Sequence, residues 1–268
     1  MSSWVGHALA LAKTGRDVLQ YETRGQGKLT TLPVDNCDLE QQVFDFGAML
    51  DTLVADGVLT PDDDGRVDLA GFSFGGRVVL AIAARLPHRV RRCVVTGVPA
   101  DRGPLGRTVL RAWLSCLDAG ALDAFVWQSM VEGHSTSFLA RHERRLAGWV
   151  EGAVKANRCD AIRALIAQTH HDDEDDPFHS VNLAKQTAEN LGPGGVQLLA
   201  AGDDRIAPAE EVARLAELAG GWPVVVVPGA GHSLPIEQPK VWRRHLLDFL
   251  DAEDTQNLPR FPRELSFR

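Results

Sequence analysis

The feature that most constrains this chain is the stretch Val67-Asp-Leu-Ala-Gly-Phe-Ser-Phe-Gly-Gly-Arg-Val-Val-Leu-Ala-Ile-Ala-Ala84. A short apolar run at its start reads as a buried strand, and the apolar residues after Gly76 continue for about three turns as a helix. Between them stands Gly-Phe-Ser-Phe-Gly, the G-x-S-x-G pattern of a nucleophile elbow, in the strand-to-helix setting that such an elbow needs. A turn this tight strains the serine backbone, and Gly71 and Gly75 are expected where a Cβ would collide with strand or helix. Ser73 is thereby placed at the tip of the turn. The N–H of Phe74 opens the helix, where unpaired donors and the helix dipole favour developing negative charge.

Bulk properties narrow the rest. A chain of 268 residues, 44% apolar, can bury a substantial core. A net charge of −8 argues against a nucleic-acid or anionic-membrane surface, and no run of about 18 apolar residues predicts a membrane span. Cys37, Cys93, Cys116 and Cys159 are widely spaced and form no C-x-x-C pair, so thiols in a reducing, cytoplasmic compartment are expected.

Along the chain, Ser3 to Thr14 reads as a helix stopped by Gly15, Asp17 to Glu22 as a strand, and Arg24-Gly-Gln-Gly27 as the turn after it. A helix is predicted from an N-cap at Asp38, and a strand over Val90 to Gly97. Residues 101–190 show only helical spacing, an all-helical block inserted between strands. Strands return at Val196 to Ala201 and Pro223 to Pro228, helices at Ala209 to Leu218 and Pro239 to Leu250, and residues 253–268 read as a surface tail. The expected organisation is a core of residues 1–100 and 191–252 with a helical cap at 101–190. The cluster His170, His171 and His179 among acids suggests a metal site by composition but lacks regular ligand spacing, so no metal is predicted.

Acyl transfer by serine needs a base and a carboxylate to orient that base. His232 in Gly-Ala-Gly-His, and an aspartate at 203 or 204 in Gly-Asp-Asp-Arg-Ile-Ala-Pro, both follow predicted strands on the sheet edge that carries Ser73. This Ser, Asp, His order in these contexts resembles the α/β-hydrolase superfamily over nearly the whole chain. The resemblance implies an α/β fold with a mostly parallel sheet flanked by helices and a helical lid. It also implies a Ser73–His232–Asp204 triad that hydrolyses a small ester, lactone or related carbonyl compound without metal or organic cofactor. The family's D-x-x-x-P spacing maps onto Asp204 and Pro208, with Asp203 the alternative acid. Phe74 would supply one oxyanion donor.

The pattern also departs from that family. Three strands precede the first helix there, and a loop after the third supplies the second oxyanion donor, whereas this sequence opens on the helix. The resemblance therefore predicts a gap beside the elbow strand unless the Val18 segment or another chain closes it, and a chain that is a fragment or alternative start of a longer hydrolase. Loss of an oxyanion donor costs about 10²- to 10³-fold in rate. The alternative to a working enzyme is an inactive member of the fold that binds a ligand or protein.

Overall fold

The computed structural model describes residues 4–27, 29, 36–171, 173–255 and 258. Its centre is a parallel four-stranded sheet of β1 (Val67–Phe72), β2 (Val90–Thr96), β3 (Val196–Ala201) and β4 (Val224–Val227), in the order β1-β2-β3-β4. The strands are rich in Val, Leu and Ala because each is covered on both faces, as parallel sheets require. In β3 all six residues are buried.

On one face pack α2 (Leu39–Ala55), α3 (Phe74–Arg85), α8 (Ser180–Leu191) and α9 (Ala209–Leu218). Asp38 caps α2 by accepting the N–H of Gln41 at 2.8 Å, and α3 is apolar nearly all round because it lies in the middle of this layer. The other face is covered by α1 (Val5–Ala12), the short α10 (Leu234–Glu237) and α11 (Pro239–Leu250). Trp242 of α11 donates its indole N–H to Thr96 Oγ1 at 2.9 Å, so the one polar atom of a fully buried ring is satisfied. Between β2 and β3 run α4 (Gly103–Asp118), α5 (Leu122–Gly133), α6 (Thr136–Ala156) and α7 (Cys159–Ala167), which share a cluster built on Val109, Trp113, Phe125 and Val150, followed by α8.

The segment Asp17 to Glu22 is the correction to the sequence reading: it carries no strand. Strand formation needs a partner, and none of the four strands lies beside it. It faces β1 instead across a cleft of about 1010 Å³, whose sides are also lined by Trp4 and Leu11, by Trp242, and by Phe46 and Val78. The cleft thus cuts through the sheet layer between its two helical coats. Tyr21 is drawn into its wall, where burial and the neighbouring Asp45 carboxylate push the phenol up to about 12. Among the described residues no strand pairs with the outer edge of β1, so the expected gap beside the elbow strand stands open there, and Val18 does not close it. Most of the tail expected over residues 253–268 lies outside the described residues, although Thr255 Oγ1 donates to Gly194 O at 2.9 Å.

Candidate functional site

Ser73 joins β1 to α3 at φ 53° and ψ −117°, and among the described residues no other non-glycine has positive φ. A backbone in that region stores roughly 1–3 kcal/mol, which the packing around it must offset. Gly71 makes the turn sterically feasible: a Cβ there would lie 2.3 Å from Gly75 O and 2.5 Å from its carbonyl carbon. The expected clash at Gly75 is not found, since a Cβ meets nothing within 4 Å on the side that borders the cleft. Gly76 has that role instead, with Val98 Cγ2 at 2.7 Å from its would-be Cβ. The turn is held to the sheet by Ser73 N–H, which donates to Thr96 O at 2.8 Å.

The sheet delivers the other groups to the same edge. Asp204 follows β3 and His232 follows β4, and parallel strands bring their C-terminal ends together. Ser73 Oγ lies 2.8 Å from His232 Nε2, and His232 Nδ1 lies 2.7 Å from Asp204 Oδ2. The Asp204 side chain is wholly buried and that of His232 is 8% exposed, so the pair is shielded from water while Ser73 stays half-buried. Asp204 Oδ1 accepts N–H groups from Ile206 and Ala207, both at 2.8 Å. A carboxylate with these partners accepts only, so the ring proton sits on Nδ1 and Nε2 is left to accept from Ser73. Gly97 supports the ring from below, where a Cβ would lie 3.1 Å from His232 Cε1. Phe72 packs on it at 4.9 Å between ring centroids. Asp203 is exposed and does not reach the histidine; its N–H donates to Ala230 O at 2.9 Å.

As first residue of α3, Phe74 presents an N–H with no intrahelical acceptor beside Ser73. The arrangement can take a proton from a serine hydroxyl, hold it on an imidazole, and stabilise the resulting imidazolium with a buried carboxylate.

Among the described residues no group of three or more His, Cys, Asp or Glu side chains could hold a metal ion. In the histidine-rich stretch, His171 Nδ1 pairs with Asp176 Oδ2 at 2.7 Å, and His179 Nδ1 caps α8 by accepting the N–H of Val181 at 3.3 Å. Burial and the nearby Arg77 hold His179 below the ordinary imidazole range. Arg77, four residues after Ser73, is buried and donates to Ser180 Oγ and to Phe178 O, tying the elbow helix to α8. No helix among the described residues is long and apolar enough to cross a membrane.

Sequence reasoning missed Glu237 and Arg205, which hold the loops of His232 and Asp204. The signal for Glu237 was a lone acid in the apolar run Leu-Pro-Ile-Glu, five residues after His232.

The family model described as alpha/beta hydrolase family matches residues 1–244. A relative, the 2-hydroxy-6-oxo-2,4-heptadienoate hydrolase of Pseudomonas putida, is 28% identical over 202 residues, covering 74% of this chain and 68% of its own. Among solved structures, the enol-lactonase from Burkholderia xenovorans LB400 is similar with a TM-score of 0.70 and 20% identity, over 94% of this chain and 86% of that one. The bromoperoxidase from Bacillus anthracis is similar at TM-score 0.75 and 20% identity, over 94% and 87%.

Proposed function

Since this chain belongs to the alpha/beta hydrolase family, we propose that it is a serine hydrolase acting on a small ester, lactone or related carbonyl compound through an acyl-enzyme. The observation that carries this is the continuous hydrogen-bonded relay from Ser73 Oγ through His232 to buried Asp204. Ser73 Oγ attacks the carbonyl carbon as its proton passes to His232 Nε2, and the oxygen that gains charge lies toward Phe74 N–H. Collapse breaks the bond to the leaving alcohol, which takes the proton from Nε2. Water then attacks the acyl carbon with His232 again as base, releasing the acid and restoring the serine. Asp204 keeps the ring in the Nδ1–H tautomer throughout. The relative that hydrolyses an oxo-dienoate fits a substrate with an activated carbonyl carbon. In this reading α4 to α7 form the cap that shapes the substrate pocket, while α8, the end of the expected 101–190 block, packs on the sheet core beside α3 and α9.

One observation favours a second reading. The cleft beside β1 opens onto Ser73 and Phe74, where a further oxyanion donor would have to be supplied. A site left open in this way suits an inactive member of the fold that retains the relay and binds a ligand. Labelling of the purified chain with a fluorophosphonate separates the two, because only an activated serine reacts. Labelling that disappears in Ser73→Ala supports the hydrolase, and no labelling of the wild-type chain supports the binder.

A further inference from the structure

Both loops that carry the relay are fastened to one corner of the helical block, Val131 to Ser135, where the last turn of α5 passes into the N-cap of α6. From the loop of Asp204, the Arg205 guanidinium donates to Val131 O at 2.7 Å and stands 3.8 Å from Glu132. From the loop of His232, the Ser233 N–H donates to Gly133 O at 2.8 Å. The central connection is Glu237, at the end of α10. Its Oε1 accepts the N–H groups of Gly231 and Ser135, each at 3.0 Å, and its Oε2 accepts the Ser135 hydroxyl. Ser135 is also the N-cap of α6, accepting the N–H of Phe138 at 3.3 Å. The fit is tight: a Cβ on Gly231 would lie 2.6 Å from Ser135 N and 2.9 Å from Glu237 Oε1.

One carboxylate therefore grips both the residue before His232 and the residue that starts the longest helix of the block. Hydrogen bonds to an ionised acceptor are roughly twice as strong as neutral ones, and three of them in different directions leave the loop little freedom. We propose that Glu237 is a positioning residue that holds His232 over Ser73 and couples its height to the seating of α6. Movement of the helical block against the sheet is then passed to the base. This rests on the serine-hydrolase reading. Releasing the clamp leaves the Gly231 and Ser135 N–H groups without their acceptor and lets His232 drift. A misplacement of about 1 Å at a reacting group costs about 10²-fold.

The test measures, on folded protein, the rate of Ser73 phosphonylation by a fluorophosphonate and the amide exchange of Gly231 and Ser135 in wild type, Glu237→Ala, Glu237→Gln and Ser135→Ala. Glu237→Ala is expected to slow labelling by about ten- to a hundredfold and to speed exchange at both amides. Glu237→Gln should stay within a few-fold of wild type, because its carbonyl accepts both N–H groups and its amide donates to Ser135 Oγ. Ser135→Ala should slow labelling by a smaller factor although it touches no member of the relay. It reads the same connection should Glu237→Ala not fold. Wild-type labelling rates in the alanine variants, exchange that rises at only one of the two amides, or a glutamine variant as slow as alanine would overturn the proposal. If the wild-type chain does not label, the hydrolase reading fails by itself, and exchange alone decides the clamp: joint loss of protection in Glu237→Ala supports it, and unchanged exchange overturns it.

Discussion

Replacing Asp204 by asparagine changes one atom, and the structure fixes which way that atom points. Oδ1 accepts the N–H groups of Ile206 and Ala207, while Oδ2 faces His232 Nδ1 at 2.7 Å. In Asp204→Asn the two backbone donors keep the amide oxygen at Oδ1, which turns the NH₂ toward the imidazole. Flipping the amide would forfeit both backbone bonds, each worth about 0.5–1.5 kcal/mol net, and set donor against donor. The ring must then carry its proton on Nε2, aimed at Ser73 Oγ, and cannot accept another. In a Ser-His-Asp relay that tautomer error costs about 10⁴ in turnover with the geometry intact. At 1.36 kcal/mol per decade this is about 5 kcal/mol of transition-state stabilisation. The assay is the fluorophosphonate labelling rate, followed by intact mass, for Asp204→Asn beside Asp203→Asn. The first is expected to fall by about 10⁴, and the exposed neighbour to leave the rate within about twofold. A loss under tenfold at Asp204, or an equal loss at Asp203, would refute the tautomer argument.

Three further outcomes follow from the packing. Gly71→Ala places a Cβ 2.3 Å from Gly75 O, backbone against backbone, so the turn must open; labelling of Ser73 should disappear and the melting temperature should drop, and a labelled variant with normal melting would contradict the contact. Thr96→Val strips the buried Trp242 N–H of its acceptor, a loss of about 1–3 kcal/mol measurable by urea unfolding. Acidification should destabilise the fold before the carboxylates titrate. Burial, as the largest cause, holds His7, His134, His179 and His245 below the free value of 6.5 in the folded chain. The unfolded chain therefore binds more protons below pH 6.5, and stability present above that pH is lost as pH falls toward the folded values. Urea midpoints at pH 7.5 and 5.5 should differ, the lower pH being less stable; equal midpoints would contradict this sign.

How much was legible beforehand depended on whether a signal was local. The elbow, α9 and α11 read directly because Gly, Pro and apolar spacing are written within each segment. The relay was legible because each member follows a buried strand in a turn of recognisable chemistry, although choosing Asp204 over Asp203 took the spacing to Pro208. Asp17 to Glu22 has strand composition but no strand, because a ladder is made by two segments and its neighbour is not β1. The close contact expected at Gly75 falls at Gly76 because it depends on which side of the turn meets β2 and which borders the cleft. For Glu237 the sequence holds only its place as a lone acid five residues after His232; its role is invisible there, since its partner Ser135 lies 102 residues away.

The outer side of β1 has a consequence for behaviour in solution. Ser73 N–H points to β2, so by the two-residue alternation of a parallel ladder the backbone groups of Asp68, Ala70 and Phe72 point the other way, and Ala70 is exposed. Although it lies within the cleft that Asp17 to Glu22 faces, such a rim is a template with which an entering extended segment of another molecule can pair. The guards against this are the Asp68–Arg91 ion pair near the start of the strand and the mutual repulsion of molecules that each carry a charge of −8. Repulsion of that kind reaches about 30 Å at 0.01 M salt and about 8 Å at 0.15 M. Colloidal stability is therefore expected to follow ionic strength: salt that leaves every internal contact in place weakens the mutual repulsion and lets a segment of a second molecule approach the cleft, which light scattering would report.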